Sequence, residues 1–291
     1  MKKNFLILLM LFAVVSCHKK DGSKNENVFY VQTQKVIRKD LKEELVISGN
    51  IKGKDEAVIY PRINGKLVKN LVREGDFVKK DDAIALVKKD DVGVVYEPAP
   101  VPSTISGYVG RVYQDEGADV NPMTPIALVV NQDVIRVQIE VPEKYLSRIS
   151  VGSKVYIKVD AYADKIFYTK VDKVSPVVDK LSRTFLVEAF IENRENLLKS
   201  GMIAEAHVIL QEVQRALAIP VSAIVEKEGK KYVYLADRLN NVAIEKEIKH
   251  GIKNTDWIEV KNLKEGDEII TIGLYGISNN SPIKVLNQEN L

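Results

Sequence analysis

The sequence is poor in the residues that build metal, redox and disulfide sites. It has one cysteine, Cys17, which excludes an internal disulfide, a thiolate zinc cluster and an iron–sulfur site. The three histidines lie far apart along the chain, without the spacing of a metal motif. No run of 18 or more apolar residues is present, so no spanning helix is predicted beyond an N-terminal anchor. We therefore predict no metal site and no cofactor.

Signals of catalysis and of nucleic-acid binding are also missing. The net charge of +3 falls to about +1 without the first 16 residues, which hold Lys2 and Lys3, so charge gives no support for a nucleic-acid partner. Neither a nucleophile elbow nor a phosphate loop, a zinc-protease motif or a dinucleotide fingerprint occurs. Adjacent carboxylates such as Asp81-Asp82 would point to opposite faces of a strand. We predict that the protein is not an enzyme and has no catalytic residue.

The first 17 residues have the features of an export signal. A basic start is followed by the 11-residue apolar run 5–15, which is too short to span a bilayer and suits a secretory signal. The run ends at Val14-Val15-Ser16-Cys17, which resembles the bacterial lipobox. We therefore predict a lipoprotein signal peptide at residues 1–16, lipidation of Cys17 and a flexible polar tether at residues 17–27.

The rest of the chain is rich in short Val/Ile runs broken by Gly, Asn, Asp and Pro. Residues 155–159 alternate between apolar and polar, which is typical of a half-buried strand. Helical periodicity is nearly absent, and only two short helices are predicted, at residues 142–149 and 176–181. The fold class predicted is mainly β.

An internal repeat is the most informative feature. Residues 65–87 align without gaps on residues 107–129 at a constant offset of 42, with eight identities in 23 positions. Each copy begins with glycine, contains Glu-Gly at a turn and ends in Ile-Ala-Leu-Val. Neither copy has enough apolar residues for its own core, so we expect the two to face each other across a pseudo-twofold axis. Four repeat glycines are predicted to occupy structural turns, namely Gly65, Gly75, Gly107 and Gly117.

This repeat resembles the two half-motifs of a biotinyl/lipoyl-type flattened barrel. One function of such a fold is that of a swinging-arm carrier, which needs a modified lysine at the tip between the halves. Lys88 and Lys89 lack the flanking residues of biotin and lipoate sites, and export also argues against a carrier. The other function is that of the periplasmic adaptor, or membrane fusion protein, of resistance-nodulation-division tripartite efflux pumps.

Resemblance to these adaptors extends over nearly the whole chain beyond the tether. Seven segments follow in the family's order. They are Gly-x-Leu with Glu-Gly-Asp within 65–84, the strand and short helix at 134–143, Val-Gly-x-x-Val at 151–155, Asp…Arg-Thr at 179–184, Asn…Gly-Met at 196–202, the Pro-x-x-Ala segment at 219–224, and Gly251 with the Gly-Asp turn at 263–270. The resemblance implies an elongated multidomain β protein. Its parts are N-terminal strands shared with the later domains at 28–56, a lipoyl-like domain at 57–130 with half-motifs at 57–87 and 101–130, a β-barrel domain at 131–211 and a membrane-proximal domain at 212–291.

The connection between the half-motifs departs from most adaptors. The family commonly inserts a long helical hairpin there, whereas only the 13 residues 88–100 are present, enough for one helix of about 20 Å without a return. The protein therefore resembles the hairpin-less, BesA-like adaptors. We expect its exposed end to be this loop, beside the Asp81-Asp82 turn. Within the loop, residues predicted to dock on an exit duct are Lys88, Lys89, Val94 and Tyr96.

The resemblance implies a structural function in a multidrug efflux system. The expected partners are an inner-membrane resistance-nodulation-division transporter, an outer-membrane exit duct and further copies of the chain in a ring. An adaptor of an ABC-type or type I secretion system is the alternative. The expected location is the periplasm, with the lipid anchor in the inner rather than the outer membrane.

Overall fold

The computed structural model describes residues 28–90 and 93–286. Twenty strands and three short 3-10 helices account for the regular structure of these residues, so the prediction of a mainly β protein is confirmed. The described chain divides into two compact units. The larger is formed by Ile37–Val221 with His250–Lys261, and the smaller by the described parts of Met1–Val36, Ser222–Lys249 and Asn262–Leu291.

The larger unit is organised by three long strands. Its strands are β2 Ile37–Ile59, β3 Gly65–Asn70, β4 Phe77–Val78, β5 Ala83–Lys88, β6 Ala99–Pro102, β7 Gly107–Val112, β8 Asp119–Val120, β9 Ala127–Pro142, β10 Lys154–Lys158, β11 Phe167–Val178, β12 Thr184–Glu192, β13 Ile203–Pro220, β17 His250–Lys253 and β18 Trp257–Val260. The smaller unit contains β1 Phe29–Lys35, β14 Val225–Lys227, β15 Lys230–Asp237, β16 Val242–Glu247, β19 Glu268–Ile272 and β20 Ile283–Val285. The 3-10 helices are Glu143–Arg148, Asp160–Tyr162 and Val221–Ala223.

A closed β-barrel lies at the centre of the larger unit. Its pairings run β13–β10–β11–β12–β9, and β2 pairs antiparallel with both β13 and β9, so the ring closes without an exposed edge. Alternate residues of each strand point inward, among them Ile135, Val137 and Ile139 of β9, each with no exposed surface. Burying this apolar set against the facing strands stabilises the barrel.

The repeat forms a second region of the larger unit, the lipoyl-like domain. It has two four-stranded sheets, one ordered β6–β5–β3–β8 and the other formed by the end of β2, the start of β9, β7 and β4. Ile84, Val87 and Val129 belong to the separate apolar core of this domain. Because β2 and β9 run through both regions, two continuous strands connect the lipoyl-like domain to the barrel.

The smaller unit is a sheet ordered β14–β15–β19–β1–β20, with β16 beside β15. Val31, Tyr234 and Ile270 are buried in its core. The N-terminal β1 is thus built into the same sheet as β19 and β20, from the far end of the sequence. The boundaries predicted for the four β regions stay predictions, since contacts divide the chain only into these two units.

One of the two predicted helices is wrong. Residues 143–148 do form a single short 3-10 helix where a helix at 142–149 was expected. Residues 176–181, in contrast, belong to the end of β11 and to the turn that follows it. Asp179 closes this turn by accepting hydrogen bonds from the backbone N–H of Leu181 and Ser182, at 2.9 and 2.8 Å. The carboxylate takes up the amides that would otherwise begin a helix.

Candidate functional site

The two half-motifs are related by a reciprocal backbone network. Gly75 donates its N–H to the carbonyl of Val109 at 2.8 Å, and Gly117 donates to the carbonyl of Leu67 at 2.7 Å. The two bonds are equivalent under the repeat, because the donors Gly75 and Gly117 are 42 residues apart and so are the acceptors Leu67 and Val109. The next bonds obey the same rule, from Leu67 N–H to the Ala118 carbonyl and from Val109 N–H to the Asp76 carbonyl. Each half therefore supplies the hydrogen-bond partners that the other half lacks.

The repeated glutamates explain part of the sequence identity. Glu74 of the first half accepts a hydrogen bond from the N–H of Val112 in the second, at 3.0 Å. Glu116 of the second half accepts one from the N–H of Asn70 in the first, at 3.1 Å. Sequence analysis found the identical Glu-Gly pairs but missed these cross-half contacts. The offset itself was the signal, since a glutamate repeated at equivalent positions can accept an equivalent backbone N–H from the opposite half.

The four repeat glycines fall into two kinds. Gly75 and Gly117 have φ of +93° and +94°, in the left-handed region that favours glycine. Gly65 and Gly107 instead lie against the chain, because an added Cβ would collide with the carbonyl of Lys88 at the first position and with that of Val130 at the second. Close backbone approach therefore requires glycine at these two positions.

The connection between the halves lies at the end of the lipoyl-like domain away from the barrel. β5 ends at Lys88, which pairs with Lys66 of β3, and Lys66 also pairs with Asp119 of β8. Only a short turn separates β8 from the start of β9, and β9 then runs away from it into the barrel. The residues that follow Lys88 are therefore at the opposite end from the barrel. We call this end, with residues 88–90 and 93–98, the distal loop end.

The distal loop end exposes apolar side chains. Residues 94–98 form no strand before β6 begins at Ala99. Val94 is exposed and Val95 is 86% exposed. The ammonium of Lys89 lies 5.1 Å from the ring centroid of Tyr96, which brings these two predicted docking residues together across the loop. Lys88, another of the residues predicted to dock, is the last residue of β5, and its backbone is held by pairing with Lys66 of β3.

The Asp81-Asp82 turn does not lie beside this loop, so that expectation is wrong. Asp81 donates its N–H to the carbonyl of Ser103, beyond the far end of the β5–β6 pair. The six residues of β5 separate this turn from the distal loop end by about 17 Å. The turn at residues 121–124, the equivalent in the second half, is the one at the distal loop end. It carries Met123, which is 87% exposed and which sequence analysis did not associate with docking.

The barrel wall contains a cluster of hydrogen-bonded polar side chains. His207 stacks on Tyr156 with ring centroids 4.3 Å apart, and its two ring nitrogens lie 3.1 Å from Glu44 and 2.7 Å from Glu205. Tyr156 donates its hydroxyl to Glu44 at 2.6 Å. Burial, together with this hydrogen bond, raises the pKa of the Tyr156 phenol. These contacts link three neighbouring strands of the barrel wall, β2, β13 and β10.

Metal chemistry and membrane spanning have no support in the part of the chain that the structure describes. Within it, no three His, Cys, Asp or Glu side chains are grouped so as to hold a metal ion. No helix among these residues has the length and apolar character to cross a membrane. Cys17, the predicted lipidation site, lies outside the described residues.

Comparison with known proteins gives a consistent result. Residues 135–212 match the family described as "CusB-like, beta-barrel domain". The chain is 26% identical over 64% of its length to SilB of Salmonella typhimurium, whose name describes it as a membrane fusion protein, and covers 42% of that relative. It is 22% identical over 74% of its length to the multidrug resistance protein MdtA of Xenorhabdus bovienii, and covers 53% of it. The chain thus spans about half the length of the curated relatives it matches.

Solved structures show the same fold. MacA from Actinobacillus actinomycetemcomitans superposes with a TM-score of 0.65 at 19% identity, over 82% of this chain and 98% of that one. ZneB from Cupriavidus metallidurans gives a TM-score of 0.53 at 18% identity, over 86% and 94%. Since membrane fusion adaptors are structural linkers, the prediction that the protein is not an enzyme is confirmed. Residues 135–212 thus carry a CusB-like β-barrel domain, and the chain is similar in sequence to a membrane fusion protein and in fold to MacA.

Proposed function

We propose that this protein is the adaptor of a multidrug efflux system and links an inner-membrane resistance-nodulation-division transporter to an outer-membrane exit duct. The observation that carries the proposal is the pair of continuous strands, β2 and β9, which connect a closed CusB-like barrel to a lipoyl-like domain with an exposed distal loop end. Strands that continue from one region into another transmit force between them and fix their relative position without a chemical reaction. The function is therefore mechanical, with several copies surrounding the passage in a ring.

The distal loop end is the proposed contact with the exit duct. Between the half-motifs, the described residues contain no helix, so a helical hairpin cannot carry this contact there. Lys88, Lys89, Val94 and Tyr96 lie in or at the start of the loop, and Met123 is on the same end. Exposed apolar side chains at the tip of a domain are typical of an interaction site.

The proposed anchor is an acylated Cys17 in the inner membrane. The lipobox-like sequence before Cys17 supports acylation, and a modified cysteine with two or more chains gives stable attachment. The inner membrane places the anchor beside the proposed transporter. Fractionation of native membranes tests this location, and recovery with outer-membrane lipoproteins alone would contradict it.

An ABC-type or type I system is the alternative partner. The match to a CusB-like barrel domain favours the resistance-nodulation-division transporter. The genes beside the one for this protein decide between the two, because components of one export system are commonly encoded together.

The whole proposal is tested by recovering the assembly. The full-length chain, tagged at its C-terminus and expressed in its own organism, is crosslinked in intact cells and purified under denaturing conditions. Mass spectrometry is expected to find a transporter, an outer-membrane duct and multimers of the chain. A Cys17→Ser variant controls for contacts that need the anchor. Recovery of neither a transporter nor a duct with the native chain would refute the adaptor function.

A further inference from the structure

An exposed aromatic and aliphatic surface lies where the described chain begins. Tyr30 of β1 is 59% exposed, Ile272 of β19 is 58% exposed, and Tyr275 in the following turn is 99% exposed. Val28 and Lys284 complete the surface, which we call the tyrosine patch. Such side chains on the outer face of a sheet cost free energy in water unless another surface covers them.

Strand pairing brings the members of the patch together. Tyr30 lies opposite Lys284 of the parallel strand β20, and the Lys284 ammonium is 5.7 Å from the Tyr30 ring centroid. On the other side of β1, Gln32 lies opposite Ile272. Gly273, the next residue, lies so close to β1 that an added Cβ would be 2.5 Å from the carbonyl oxygen of Tyr30. The patch is thus continuous across three strands.

The backbone geometry of the turn at residues 273–276 exposes the side chain of Tyr275. Gly273 and Gly276 both have positive φ, at 89° and 79°, and so bend the chain tightly on either side of two residues. Leu274 packs against the core of the smaller unit. With Leu274 held inside, Tyr275 projects into solvent.

Charge in this part of the chain has one sign. Residues 28–36 and 269–286, the parts of the smaller unit that carry the patch, contain no Asp or Glu, and they contain two lysines, Lys35 and Lys284. A surface of this composition is not repelled by anionic lipid headgroups, and lysine near such a surface adds attraction. Tyrosine is itself favoured at membrane–water interfaces, where the ring is covered and the hydroxyl stays hydrated.

Chain length limits where this patch can be. Val28 is the eleventh residue after Cys17, and eleven residues cannot extend beyond about 40 Å. If Cys17 is acylated, Val28 at the edge of the patch stays within about 40 Å of the bilayer surface. We propose that the tyrosine patch is a lipid-contact surface that lies on anionic headgroups and places Tyr275 in the membrane interface. The proposed anchor is what brings the patch close to the headgroups, and in this respect the inference rests on the proposed function. The contact with the headgroups is made by the side chains of the patch.

An environment-sensitive probe tests the contact in the intact protein. Tyr275→Cys carries an NBD fluorophore in the full-length chain, reconstituted into vesicles of phosphatidylethanolamine and phosphatidylglycerol, and Leu239→Cys is the control. Leu239 is 95% exposed, lies in the same unit and follows Asp237 and Arg238 in a different turn. We expect a blue shift at position 275 and loss of its emission when the lipids carry spin labels, with neither change at position 239. Vesicle-bound protein without these changes at 275 overturns the proposal.

A second arm separates the patch from the anchor. Mass spectrometry of the purified chain determines whether Cys17 is acylated, which tests the anchor alone. In Cys17→Ser chains, flotation with the same vesicles is expected to fall when Tyr275→Glu is added and to be unchanged by Leu239→Glu. Equal flotation of both variants contradicts lipid contact. A shift at 275 that requires vesicles containing the transporter, and is absent with lipid alone, also contradicts it and identifies a protein partner instead.

Discussion

The two halves of the lipoyl-like domain have the same internal hydrogen bonds but different continuations. In the first half, β5 ends beside Gly65 and leads into the distal loop end. In the second half, β9 passes the equivalent Gly107 and continues for the length of the barrel. What the halves share is therefore what the fold requires. What differs is the continuation of each half, which is a covalent strand into the barrel for the second and an exposed loop for the first.

The largest effect is expected where the two halves have no room for a side chain. Gly65→Val and Gly107→Val place atoms against backbone carbonyls, which cannot turn aside, so each should destabilise the lipoyl-like domain by about 3 kcal/mol or more. Hydrogen–deuterium exchange of β3, β5, β7 and the start of β9 measures this loss locally. Gly110→Ala is the matched control, because a Cβ there meets only ordinary contacts at 3.5 Å or more and the equivalent position in the first half is Val68. If neither Val variant lowered the hydrogen-exchange protection of β9, the proposed equivalence of the two halves would be contradicted.

A smaller and equal effect is expected at the two turns. Gly75→Ala and Gly117→Ala meet no neighbouring atom within 4 Å, so only the positive φ opposes them, at about 1 kcal/mol each. The same exchange measurement compares the two variants. A cost at one turn and none at the other would show that the halves are not equivalent.

The glutamate contacts should be weaker again. Glu74→Ala and Glu116→Ala each remove one hydrogen bond from a partly hydrated backbone N–H, and each should cost about 0.5–1 kcal/mol. The two contacts share no atoms, so the double variant is expected to show the sum of the single effects. Urea denaturation followed by local exchange measures the three variants. A double variant no less stable than the singles would mean that the contacts are not independent.

The smallest effect on stability is expected at the distal loop end. Val95→Asp alters an exposed side chain outside the sheets, so the free energy of unfolding should change by less than about 0.5 kcal/mol. Efflux in cells should nevertheless fall if the loop end binds the duct. Full efflux with this variant would argue that the loop is only a connection.

Sequence periodicity predicted the β class, and the offset of 42 predicted the shared turns, because both depend on local patterns. The position of Asp81-Asp82 could not be predicted in this way. Adjacency along the chain suggested that the turn lies near residues 88–100, whereas β5 between them extends and carries the two apart. The reverse holds for Met123, which is distant in sequence and reaches the distal loop end only because β8 pairs beside Lys66. A helix at 176–181 failed because Asp179 captures the amides of the turn.

The measurement that tests the account most directly is crosslinking from the distal loop end in living cells. Single cysteines replace Lys89 and Val95 in the full-length chain, with the cognate duct and transporter present, and Leu181→Cys on the barrel turn is the control because it is as fully exposed. The account predicts products with the duct from both loop positions and none from position 181. Products with the transporter but none with the duct, in cells that retain efflux, would contradict docking at this end.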